Sequence, residues 1–177
     1  MKKFLLLVVL FLINQLHPYE NEIDLLSLYK DLHANPELSY QEFETSEKLA
    51  NLLESIGYEV TRNVGGNGVV ALLKNGNGKN IMFRADMDGL PVEEKTGARY
   101  ASQKKVTNLD GEEVFTMHAC GHDVHMTVLI GVAEYLFENK SEWQGNLILV
   151  LEPAEEVSGG ARNMIKDGLF TRFPRPD

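Results

Sequence analysis

The sole cysteine of the chain, Cys120, lies in the stretch MHACGHDVH, two residues after His118 and two before His122, with Asp123 next in line. A thiolate and an imidazole two residues apart can grip one ion, and Gly121 between them lets the backbone turn so that both side chains reach it. Two acidic stretches add oxygen donors: RADMDGLP carries Asp86 and Asp88, and EPAEE carries Glu152, Glu155 and Glu156. Those carboxylates and Asp123 repel one another in a shared crevice unless a cation lies among them. Sulfur, nitrogen and oxygen together suit a borderline first-row ion, zinc, manganese, cobalt or nickel, whereas calcium and magnesium take oxygen alone.

The neighbours of this cluster have more ordinary uses to weigh. His118 and His125 either orient a ligand from behind or cap and pack the start of a helix at residue 122. Asp86 and Asp88 follow a strand, where a role behind the ligands competes with plain loop capping. Asp123 is expected first of all to satisfy backbone donors and the dipole at that helix start. His33 reads as structural, and His17 flanks the N-terminal segment. Glu155 and Glu156 are adjacent, and neighbours on extended backbone point to opposite sides, so the two are expected to divide their work: one holds the ion, the other addresses the bound water.

Helices and strands alternate along the sequence that must position these groups. NEIDLLSLYKDLHANPE has a helical apolar stripe, with Asn21 as the expected cap and Pro36 as the stop. SYQEFETSEKLANLLESIGYEV repeats that pattern, ends at Gly57 and runs into a strand. GVVALLK and NIMFRA, joined by NGNG, read as a hairpin. A polar loop follows, then a helix over DVHMTVLIGVAEYLFENK, a buried strand in GNLILVLEP, and a closing helix in GGARNMIKDGLF. Such interleaving indicates an α/β fold with a mixed sheet flanked by helices. Strand carboxyl ends and helix N-termini line the crevice of such sheets, and all three polar clusters fall at those places.

Composition narrows the partners. The 177 residues are 44% hydrophobic and 24% charged, as in a globular domain, and the net charge of -9 disfavours nucleic acid. Lys2 and Lys3 precede the uncharged run FLLLVVLFLI, which has the pattern of an export signal and is too short to span a bilayer. Residues 1–20 are therefore expected to be a signal peptide, or an N-terminal anchor if left uncleaved, and residues 21–177 the folded part of an exported protein, periplasmic or secreted.

FRADMDGLP, MHACGHD and EPAEE, in this order and spacing, resemble the M20 family of metallopeptidases and amidohydrolases, in particular its N-acyl-amino-acid amidohydrolase and hippurate hydrolase branch. The resemblance covers roughly residues 22–177 and implies the N-terminal part of a zinc-peptidase-like catalytic domain, without the lid or dimerisation domain that mediates homodimers in the family. It implies Cys120, His122 and Glu156 as metal ligands for one or two ions, manganese or zinc above all, and Glu155 as general base. Two further histidine ligands of the family lie beyond this sequence, so the chain as given is expected to be an inactive truncation. Glu152 stands where the family usually has Gln, and an added carboxylate there is expected to raise the working pKa of the base. The implied reaction is hydrolysis of the amide bond of N-acyl amino acids; the alternatives are a dipeptidase or carboxypeptidase, or a non-catalytic truncated product.

Overall fold

The structure is a computed structural model and describes residues 23–177; the export-signal segment and Asn21 lie outside the described residues. Helix α1 spans Leu25–Ala34, and Asp24 caps it by accepting from the Ser27 N–H at 3.0 Å. Helix α2, Phe43–Ile56, stops where expected, at Gly57. Its φ of +116° is left-handed, and a Cβ there would stand 2.6 Å from the Phe137 ring, so only glycine fits. Strands β1 (Glu59–Thr61), β2 (Val69–Asn75) and β3 (Lys79–Asp86) follow. Next come a two-stranded ribbon of β4 (Lys105–Thr107) and β5 (Glu113–Phe115), helix α3 (His122–Glu138) and strand β6 (Gly145–Glu152). The chain closes with two short helices, α4 (Gly160–Lys166) and α5 (Leu169–Arg172), where one was expected.

The sheet is mixed, in the order β1-β2-β6-β3, with β6 antiparallel to β2 and parallel to β3. Both of its faces are covered, which explains why the β2 and β6 sequences are apolar throughout instead of alternating. Val69, Ala71, Leu73, Leu147, Leu149 and Leu151 pack into the core formed with α1, α2 and α3. The intervening Val70, Leu72, Ile148 and Val150 meet Met164 and Leu169 of the closing helices on the other face. Each of the Val, Leu, Ile and Met side chains among these, fully buried, contributes about 1.5–3 kcal/mol.

The expected hairpin of β2 and β3 does not form, because β6 is inserted between them and pairs with both. Turn chemistry at NGNG marks a reversal of direction but leaves open whether the two strands touch. Here the turn spans roughly two strand spacings of about 4.8 Å. Gly78 and Gly145 permit the crossing: a Cβ on either would lie 2.6 Å or less from the backbone oxygen of Gln144 or Lys79. The ribbon of β4 and β5 lies where the sequence predicts only a polar loop; its strands are three residues long with no buried residue, too short for an apolar pattern to register.

Candidate metal centre

Parallel pairing of β3 with β6 sets Asp86 directly beside Glu152 in register, so the two acidic loops leave the sheet side by side. Helix α3 starts opposite them. Its N-cap is Gly121, in the left-handed region at φ +80°, and its first turn carries His122, Asp123 and His125.

His122 is the hub. Its Nδ1 donates to the main-chain oxygen of Asp88 at 2.7 Å, which leaves Nε2 as the lone-pair nitrogen of the neutral ring. That nitrogen faces Glu155 Oε2 at 3.7 Å, Glu156 Oε1 at 3.8 Å and Asp86 Oδ2 at 4.0 Å. These separations are too long for hydrogen bonds. They approach the spacing of roughly 3.3–3.6 Å between donors that share a tetrahedral ion about 2.0–2.2 Å away. Two groups of donors result, His122 with Glu155 and Glu156, and His122 with Asp86 and His125; within each group the donor atoms lie within 4.8 Å of one another. Asp86 Oδ1 and Glu156 Oε1 are buried without a hydrogen-bond partner among the described residues, although the Arg84 guanidinium lies 2.9 Å from the former. Asp86 Oδ1 is thus answered by that guanidinium, whereas Glu156 Oε1, open and 3.8 Å from the imidazole Nε2, fits a divalent ion.

The electrostatics agree. Burial pulls the His122 pKa down, but its hydrogen bonds to Asp88 and the charges of Asp86 and Asp88 prevail and lift it to about 9; the site attracts positive charge, a proton on Nε2 near neutral pH when metal-free, which a divalent ion must displace to use the lone pair. The Cys120 thiol is exposed and lies against Glu156, whose hydrogen bond, followed by burial and the charges of Glu156, Glu155 and Asp88, pushes its pKa up. A divalent ion reverses that preference by stabilising the thiolate. Asp86 is raised by burial, despite Arg84 and His122. Burial acts on Asp88 in the same direction, but hydrogen bonds from His122, Ser39 and the Glu156 N–H outweigh it and hold the carboxyl below its usual range.

The structure therefore gathers Asp86, His122, His125, Glu155 and Glu156; Cys120, expected as a ligand, is exposed beside Glu156 and belongs to neither donor group. Asp88 stands behind them: its carboxylate accepts from the N–H groups of Glu155 at 3.2 Å and Glu156 at 3.1 Å, and from the Ser39 hydroxyl. His118 is buried with neither ring nitrogen partnered among the described residues, and burial lowers its pKa to about 4. Asp123 accepts from the Val124 N–H at the helix start, as expected, and also binds His33 Nδ1 at 2.7 Å. The other nitrogen of His33 meets Glu94 at 3.1 Å, a buried link that the sequence reading did not find. Glu152 turns to Arg84 and to the Ala161 N–H, so its charge is neutralised locally.

One expectation fails on geometry. Glu155 and Glu156 do not lie on extended backbone pointing apart; residues 155–158 form a turn, closed by the Ser158 N–H on the Glu155 carbonyl at 2.7 Å. Ala154 before it is left-handed at φ +52°. The bend brings both carboxylates to one imidazole, and they differ in exposure: the Glu155 side chain is 39% exposed, that of Glu156 16%.

Fold and donor cluster together define a class, an α/β domain with a divalent-metal centre at its strand carboxyl ends. The chain belongs to the peptidase family M20/M25/M40, whose description matches residues 82–177. It is 47% identical over 143 residues to the hippurate hydrolase of Campylobacter jejuni, covering 80% of this chain and 34% of that protein. To thermostable carboxypeptidase 2 of Saccharolobus solfataricus it is 40% identical over 150 residues, covering 82% and 36%. Among solved structures, the YXEP protein of Bacillus subtilis, a dinuclear metal-binding peptidase of the M20 family, superposes with a TM-score of 0.72 at 37% identity, over 82% of this chain and 38% of that one. The chain thus spans about a third of the length of the curated relatives it matches.

Proposed function

We propose that this protein hydrolyses the amide bond of N-acyl amino acids, with Cys120, His122 and Glu156 holding a zinc, manganese, cobalt or nickel ion and Glu155 as general base. The observation that carries this reading is the His122 Nε2 lone pair facing three carboxylates at 3.7–4.0 Å. When bound, the ion acidifies water and polarises the acyl carbonyl. Glu155, the more exposed of the pair, accepts the proton of the attacking water and returns it to the amine nitrogen as the C–N bond breaks, giving a carboxylic acid and an amino acid. Asp88 keeps the His122 ring oriented through its main-chain oxygen and anchors the backbone from which both glutamates project.

Likeness to a hippurate hydrolase supports the acyl-amino-acid substrate, and likeness to a carboxypeptidase supports a second reading, cleavage of short peptides. Metal-supplemented assay of the protein on N-acetyl amino acids, N-benzoyl amino acids and dipeptides decides between them. Turnover confined to dipeptides would overturn the first. The run FLLLVVLFLI after Lys2 and Lys3 supports export.

A further inference from the structure

We propose that Glu42, which touches none of the candidate ligand atoms, is a positioning residue for the metal centre: it holds Ala154 in its left-handed conformation and so turns Glu155 and Glu156 toward His122. The inference rests on the metal-centre reading above and adds a residue to it.

Glu42 has 0% exposure and no cationic partner among the described residues. A carboxylate in such a place is costly unless every oxygen is hydrogen-bonded, so a side chain that merely filled space would be apolar. Its Oε1 accepts from the Ala154 N–H at 2.7 Å and the Tyr40 N–H at 3.0 Å, and its Oε2 accepts from the Asn67 amide at 3.0 Å. Both residues whose N–H groups converge on Oε1 are themselves unusual. Ala154, at φ +52°, and Tyr40, at φ +66°, are two of only four non-glycine residues in the left-handed region among the described residues. A side chain with a Cβ is strained there and stays only where its surroundings fix it.

The backbone around the glutamates has two separate holders. Asp88 takes the N–H groups of residues 155 and 156, while Glu42 takes that of residue 154, where the chain bends out of β6. On the other side of the same residue, in the following peptide unit, the Ala154 carbonyl accepts from the N–H groups of Gly159 at 3.1 Å and Gly160 at 3.2 Å. Remove the Glu42 acceptor and Ala154 has every reason to relax toward the right-handed or extended regions. Rotation at residue 154 swings Glu155 and Glu156 together, because they follow it directly in the chain.

The test uses the 177-residue chain and cobalt(II) as probe, with affinity from isothermal titration and from the visible absorption of the bound ion, and with urea unfolding of the metal-free variants in parallel. Glu42→Gln keeps an acceptor oxygen and is expected to bind within about threefold of the parent. Glu42→Ala is expected to lose at least about tenfold. The decisive variant is Glu42→Ala combined with Ala154→Gly: glycine enters the left-handed region freely, so if Glu42 acts through that conformation the double variant recovers most of the lost affinity. A loss of general packing would not be repaired by a change at residue 154. Should Glu42→Ala not fold, Glu42→Asp, one methylene short of the Ala154 N–H, carries the same expectation of loss and rescue. Unchanged cobalt affinity in the Glu42 variant, or loss without rescue by Ala154→Gly, overturns the inference alone. A parent chain that binds no cobalt overturns the metal-centre reading and the inference with it.

Discussion

Asp88 touches both halves of the metal centre: its main-chain oxygen accepts from His122 Nδ1 at 2.7 Å, while its carboxylate accepts from the N–H groups of Glu155 and Glu156. One residue thereby fixes the imidazole tautomer and the turn that faces it. Asp88→Ala spares the main-chain contact but frees the turn. Metal affinity is expected to fall about 10–100-fold, as for other partners that orient ligands from behind. Titration calorimetry measures it, and an unchanged affinity would separate the turn from the site.

The two glutamates are expected to fail differently in the catalytically competent protein. Glu155→Gln keeps shape and metal but removes the proton acceptor, so the turnover number should drop by about 100- to 10,000-fold with substrate affinity little changed. Glu156→Gln should lose metal and be partly restored by excess ion. Metal content by mass spectrometry, set beside kcat, distinguishes them; the reverse pattern would exchange their roles.

Cys120 is exposed beside Glu156, open to both ion and reagent. Cys120→Ala is expected to reduce bound metal, and bound metal is expected to protect the thiol from alkylation. Undiminished metal in the variant would remove Cys120 from the ligand set.

His33 gives the metal-free fold a pH dependence. Burial lowers its pKa, but the hydrogen bonds and charges of Glu94 and Asp123 prevail and raise it, with the Tyr29 and Tyr100 rings packed alongside. A raised folded-state value means that the imidazolium stabilises the fold fully below the unfolded-state pKa of about 6.5, and that this contribution is lost as pH rises through the folded-state pKa. His33→Gln is expected to cost about 3 kcal/mol near pH 6 and progressively less at higher pH. Urea unfolding of parent and variant across that range tests the sign; a difference that grows with pH would refute it.

Much of this was legible in the sequence where local chemistry is decisive. Gly57 after an apolar helical stripe could hardly be anything but a C-terminal stop, and MHACGHD, RADMDGLP and EPAEE each contribute a side chain to the cluster, His122, Asp86 and the Glu155–Glu156 pair, because imidazole and carboxylates rarely gather idly. The insertion of β6 was not legible, since strand neighbours are chosen by packing across the whole sheet and not by the turn at NGNG. Nor was the bend at Ala154, whose conformation comes from an acceptor 112 residues away. His33 reads only as structural in the sequence, and Glu42 carries no signal at all, because their partners, Asp123 and Ala154, are joined to them only by the fold.

The insertion of β6 also bears on how the molecule comes into being. Both β2 and β3 pair with β6, so their facing edges have their native partner only once residues 145–152 have been made and docked between them. Pairing partners some 70 residues apart make this a slow, non-local step compared with closing a hairpin. Asp86 and Glu152 become neighbours only at that moment, so nascent chains ending before β6 have no register to set the two acidic loops together. An ion that binds across those loops thus selects chains in which the central strand has already docked, and its binding free energy adds to the stability of that late event.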